Sequence, residues 1–181
     1  MARARQFDLE TATDAAVDLF WRKGYAATSV RDLCEAMGVQ SGSFYAAFAS
    51  KQACFRVALA RYLATQGLPS TPGPAAIRAW LQAIVAPARR KKGCLLVNSA
   101  IEGPSLDAAT RRFVGERLRA VEEFFARCLG NRPHARSHAA LLASTVLSVH
   151  VLARSGAPRD QLHRLADAAL ATAGIAPLDE S

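Results

Sequence analysis

A chain of 181 residues is long enough to bury one large core or two small ones without covalent staples. Its four cysteines, Cys34, Cys54, Cys94 and Cys128, are widely spaced with no C-x-x-C pair, which speaks against a zinc knuckle or a disulfide framework and fits a reducing cytoplasm. The net charge of +8 favours polyanionic partners, yet residues 1–65 hold eight basic against six acidic side chains and residues 66–130 ten against five, so basicity alone locates no DNA site. No apolar stretch follows Arg3 and Arg5, so no secretory signal is expected. The longest segment without a formal charge, Ser137 to Ala153, falls short of a membrane span and reads as a helix buried on most sides, inside the protein or between subunits.

In chain order, Ala12, Ala15, Ala16, Leu19 and Phe20 repeat at helical spacing, and Gly24 is the expected stop. Thr28 or Ser29 then caps a short helix with Val30, Leu33, Cys34 and Met37 on its apolar face, ended by Gly38. Only Val39, Gln40 and Ser41 separate it from Phe44, Tyr45 and Phe48, and Ser50 opens a longer helix carrying Phe55, Leu59 and Tyr62. The segment Leu68 to Pro74, with three prolines and a glycine, marks a domain boundary, giving domains of 1–66 and 67–181.

Beyond the boundary, Ile77, Leu81, Ile84 and Val85 share a helical face that ends at Pro87, and a basic run from Arg89 to Lys92 leads into GCLLVNSAIE. Ser105 is the expected cap of a long helix with Leu106, Ala109, Phe113, Leu118, Val121, Phe124, Phe125 and Cys128 inward, stopped by Gly130 and Asn131. Two further helices span roughly 135–154 and 158–173, the second begun by Pro158 in its first turn. No strand pattern appears, and the fold is expected to be all-α: an N-terminal three-helix domain and a C-terminal helical bundle.

Two short helices joined by a glycine-containing turn form a helix-turn-helix, whose second helix can enter the major groove of DNA. The early positions of that helix, Gln40, Ser41, Gly42 and Ser43, are small or polar and face outward, while Phe44 and Phe48 anchor it to the core. Tyr45 and Lys51 are placed to reach phosphates. The alternative is a generic three-helix bundle with Arg31 and Lys51 as solvated charges and Tyr45 as a core aromatic.

Residues 24–55, GYAATSVRDLCEAMGVQSGSFYAAFASKQACF, resemble the DNA-binding domain of the TetR family of bacterial repressors. The ordered pattern of Gly, aromatic, Thr/Ser pair, apolar helix, Ala-x-Gly-Val, small residues, Tyr, Phe and Lys is filled throughout. The resemblance implies that Arg31 on the first short helix and Gln40, Ser41 and Ser43 on the second face base edges, and that Thr28, Tyr45 and Lys51 contact phosphates. The sequence departs from the family where Ser41, Ala46 and Ala47 replace the charge or bulk found in many relatives. Arg31 then becomes the best candidate for a bidentate guanine contact. The resemblance further implies a near-palindromic double-stranded operator and a homodimer built on the last two helices. For these, helix 135–154 offers Leu142, Val146, Val149 and Leu152 with small Ala139, Ala143 and Ala153, and helix 158–173 offers Leu162, Leu165, Ala169 and Leu170.

The stretch Lys92 to Glu102 is similar to a TetR subgroup sharing Gly-Cys-Leu-x-x-Asn, some members of which sense electrophiles or oxidants through that cysteine. Cys94 would sit in the first turn of a helix begun by Gly93, near Lys91 and Lys92, and both influences favour thiolate. Asn98, one turn on, could bond to it or to a ligand. The other reading of Cys94 is a small buried hydrophobe, and Cys34, Cys54 and Cys128 read as core. Trp80, Phe113 and Phe124 are candidates to line an effector pocket.

His134 and His138 are four apart, but no Cys, Asp or Glu stands near them at ligand spacing, so no metal and no cofactor is expected. The expected function is that of a cytoplasmic, non-enzymatic DNA-binding repressor, released by an unknown small molecule or by modification of Cys94. The alternatives are an architectural DNA binder without a ligand and a thiol enzyme using Cys94, which lacks an evident base.

Overall fold

The computed structural model describes residues 7–66, 69, 71–86 and 93–179, and every regular element among these residues is helical. The basic run Arg89 to Lys92, Pro87, and Leu68 and Ser70 of the proline-rich boundary lie outside the described residues. The chain packs as two units, residues 1–66 with 98–115, and residues 67–97 with 116–181.

In the first unit, Asp8 opens α1 (Leu9–Lys23) by accepting from the backbone N–H groups of Glu10 and Thr11, and Gly24 closes it at φ +84°. Ser29 caps α2 (Val30–Met37) in a reciprocal box with Asp32, and Gly38 ends it in the left-handed conformation, φ 67° and ψ 33°. Two residues later begins α3 (Ser41–Phe48), and then α4 (Lys51–Gln66), whose first turn is bonded by Ser50 Oγ accepting from Ala53 N–H. Phe20, Phe44 and Phe55 are fully buried between these helices, each contributing roughly 1.5–3 kcal/mol of burial free energy. The same unit includes the far end of α6 (Leu95–Ile101), a 3₁₀ turn at Gly103–Ser105 and the start of α7 (Ala108–Leu129). Arg56 on α4 reaches this segment, donating to Thr110 Oγ1 at 3.1 Å and to Asp107 Oδ2 at 3.4 Å.

The second unit packs α5 (Pro74–Val85) and the later part of α7 against α8 (Ala135–Arg154) and α9 (Arg159–Thr172). After α9 the chain folds back, burying Ile175 and Leu178, and Arg78 pairs with Asp179 at 2.8 Å.

Three details differ from the expectations. Asp107, not Ser105, caps the long helix, accepting from Thr110 N–H at 2.8 Å, because the 3₁₀ turn occupies 103–105. The helix of the GCLLVNSAIE segment begins at Leu95, so Cys94 precedes its first turn instead of lying in it, and Gly93 turns the chain at φ +68°. Pro158 is the cap of α9, one residue before the helix. A larger difference concerns the last two helices. Of the side chains offered to a dimer partner, Ala139, Leu142, Val146, Val149, Ala153, Leu162, Ala169 and Leu170 are buried in the unit's own core, and Ala143, Leu152 and Leu165 are half-buried against it. An apolar stripe at helical spacing must be covered, but its spacing does not say by what.

Candidate nucleic-acid interface

The helix-turn-helix is positioned by its aromatic core. Phe20 meets Phe55 edge-on with ring centroids 4.9 Å apart, Tyr25 packs on Phe55 at 4.9 Å, and Phe44 lies 5.5 Å from Phe48. Phe44 and Phe48 therefore root α3 as expected, and the opposite face is free. Gln40 stands exposed at the α3 cap without a side-chain capping bond, Ser41 and Gly42 are exposed, Ser43 is half-buried, and Tyr45 is 51% exposed. This outward turn carries no charge of its own. Like any helix start, it carries backbone N–H groups without helical partners, and Arg31 on α2 is exposed.

Two of the candidate phosphate contacts are engaged inside the protein. Thr28 is 1% exposed, and its hydroxyl donates to the Gly24 carbonyl at 2.6 Å. Half-buried Lys51 donates to the Thr28 carbonyl at 2.6 Å with its amine 4.2 Å from the Tyr25 ring centroid, and burial pulls its pKa below the usual lysine value. Both side chains thus brace the turn between α1 and α2. The exposed oxygen at the start of α2 belongs to Ser29, the neighbour that the sequence offered as an equal cap candidate. Asp32 is held well below the ordinary carboxylate range by the Lys23 amine at 2.6 Å and by Ser29, which fixes the α2 cap.

A residue that no sequence pattern singled out completes this turn. Glu102, just beyond α6, accepts from Tyr25 N–H at 2.7 Å and from Ala26 N–H at 3.2 Å. The pairing spans 77 positions and leaves no periodic trace in the sequence.

The candidate effector residues are distributed over both units. Trp80 packs edge-on against buried Phe124 at 5.5 Å and tilted against Phe125 at 5.1 Å, all in the second unit. Phe113 is half-buried in the part of α7 that belongs to the first unit. Cys94 is half-buried, and the Nδ2 atom of Asn98 is buried without a hydrogen-bond partner. Lys91 and Lys92 lie outside the described residues. Burial raises the Cys34 pKa and pushes Cys54 up to about 12, so both are thiols at neutral pH. The rings of His134 and His138 are 6.1 Å apart, and His163 Nε2 accepts from Arg159. Among the described residues no group of three or more His, Cys, Asp or Glu is arranged to hold a metal ion, and no helix is long and apolar enough to cross a membrane.

The geometry is that of a DNA-binding helix-turn-helix transcription regulator, and comparison with known proteins agrees. Residues 12–58 match the model of the bacterial regulatory proteins of the tetR family. YezE of Bacillus subtilis strain 168, described as an HTH-type transcriptional regulator, is 30% identical over 135 residues, covering 69% of this chain and 70% of YezE. The HTH-type transcriptional repressor ComR of Escherichia coli K12 is 46% identical over 61 residues, covering 34% of this chain and 29% of ComR. The structure of a cysteine-substituted CifR, a TetR family transcriptional regulator complexed with a 26-base-pair operator, superposes with a TM-score of 0.79 at 29% identity, covering 94% of this chain and 98% of CifR. The chain belongs to the TetR family.

Proposed function

We propose that this regulator is a homodimeric repressor which grips a near-palindromic operator through α2 and α3 and leaves it when an effector acts on the C-terminal domain. In this reading residues 1–66 are the DNA-binding domain and 67–181 the effector-binding and dimerisation domain of a cytoplasmic, non-enzymatic protein. The observation that carries it is the exposed, uncharged start of α3 standing on buried Phe44 and Phe48, with Arg31 exposed beside it. The repressor ComR and the operator-bound CifR support it by similarity. In this reading Arg31, Gln40, Ser41 and Ser43 face bases and Tyr45 and Lys51 meet phosphates, while the hydroxyls of Thr28 and Ser29 are spent inside the protein, on the Gly24 carbonyl and on the Asp32 carboxylate.

For the effector, the unpartnered amide of Asn98, four positions after Cys94 in the sequence, supports a polar ligand or an adduct on that cysteine. Electrophile sensing through Cys94 follows the subgroup that its Gly-Cys-Leu-x-x-Asn segment resembles. The test combines selection of a duplex from a randomised pool with limiting alkylation of the native protein. Cys94 is expected to label first, ahead of Cys34 and Cys54, and to release the selected duplex in wild type but not in Cys94→Ser. Labelling of Cys94 no faster than of Cys54, or equal release in the serine variant, would leave a non-covalent ligand as the signal. Failure to enrich any duplex would sink the operator reading.

A further inference from the structure

The turn between α1 and α2 sets the height and angle at which α2 and α3 stand, and it is braced from three sides. Thr28 Oγ1 closes it on the Gly24 carbonyl, Lys51 bonds the Thr28 carbonyl, and Glu102 takes the N–H groups of Tyr25 and Ala26, one on each carboxylate oxygen. The fit around Glu102 is close. A Cβ built on Gly24 would lie 2.7 Å from its Oε1. Two backbone donors without helix partners are thereby satisfied by a side chain from outside the helix-turn-helix sequence.

The charge of Glu102 makes this arrangement informative. A carboxylate in the unit that binds a polyanion opposes binding through its field, whatever else it does. If Glu102 were only a surface charge, removing it would tighten DNA binding on every sequence.

We propose that Glu102 is a positioning residue for operator recognition: its carboxylate, held on Tyr25 and Ala26, fixes the α1–α2 turn and through it the stance of α2 and α3. The proposal deepens the operator reading and rests on it for the binding part of the test. The turn itself is tested without DNA.

The experiment compares the full-length wild type with Glu102→Ala and Glu102→Gln. Amide hydrogen exchange by NMR, without DNA, should rise about tenfold or more at Tyr25 and Ala26 in Glu102→Ala, the scale set by losing bonds to a charged acceptor. Amides of α8 should keep the wild-type rate. On the duplex selected by wild type, Glu102→Ala should bind about tenfold more weakly while binding to a random duplex is unchanged or tighter. Glu102→Gln, neutral but keeping one acceptor oxygen, should fall between wild type and alanine. If the alanine variant does not fold, the glutamine variant carries the same comparison. Wild-type exchange at Tyr25 and Ala26, or specific binding equal to or tighter than wild type in the variants, would overturn the proposal. A wild type that enriches no duplex would remove the operator reading, and the exchange data would still decide whether Glu102 holds the turn.

Discussion

In the proposed operator reading, Arg31 is the residue on which sequence discrimination is expected to turn. It is exposed on α2, whereas the start of α3 is uncharged, its serines offering single hydrogen bonds and Gln40 an amide that suits adenine and not guanine. Lys23 pairs with Asp32 and Lys51 bonds the Thr28 carbonyl, which holds both amines at the α1–α2 turn. Replacing Arg31 by Ala is expected to cost about 1–3 kcal/mol on the selected duplex and to relax preference at one base pair per half-site. Titrations on the selected duplex and on a random one check this. Equal losses on both would reduce Arg31 to an electrostatic contact.

At the scale of elements, the two glycines that bracket α2 have different tasks. Gly38 takes the left-handed conformation in open space, so a methyl group there strains only the backbone, by about 1–2 kcal/mol. Gly24, at φ 84° and ψ 166°, lies in a region only glycine frequents, costing a larger residue roughly 1–3 kcal/mol, and a Cβ there also displaces Glu102 from its two amides. Gly24→Ala is therefore expected to destabilise the protein more than Gly38→Ala in denaturant unfolding. Combined with Glu102→Ala, the Gly24 penalty should shrink and the Gly38 penalty should persist. An unaltered Gly24 penalty in the double variant would show that backbone strain alone explains it.

For the whole molecule, the proposed homodimer is expected to form on the face of α8 that the unit's own core leaves uncovered. Ser137, Leu141, Ser144, Ser148 and Val151 are exposed along one uncharged stripe, with Leu141 39% and Val151 44% exposed. On α9, Ala168 and Ala171 are likewise exposed and small enough for close approach. Leu141→Glu combined with Val151→Glu leaves the core of each unit intact and places two carboxylates in this stripe. The variant is expected to sediment as a folded monomer at micromolar concentration and to lose about tenfold or more in specific binding, since one short recognition helix reads too few base pairs. A dimer of unchanged affinity would move the interface elsewhere.

What the amino-acid sequence determined by itself is what is settled within a turn or two of chain. Gly24, Ser29, Gly38 and Gly130 end or cap helices where their local chemistry requires, and the 3.6-residue spacing of Phe44 and Phe48 already turned the polar start of α3 outward. The family pattern over residues 24–55 followed from the same local order. Tertiary structure alone decided what depends on distant partners. It assigned Leu142, Val146 and Val149 to the unit's own core and left Leu141 and Val151 exposed. It spent Thr28 and Lys51 on bracing the turn, and it brought Glu102 to Tyr25 across 77 positions. Periodicity records that a face must be covered and a polar group satisfied, whereas the neighbour that does so is chosen by how the whole chain packs.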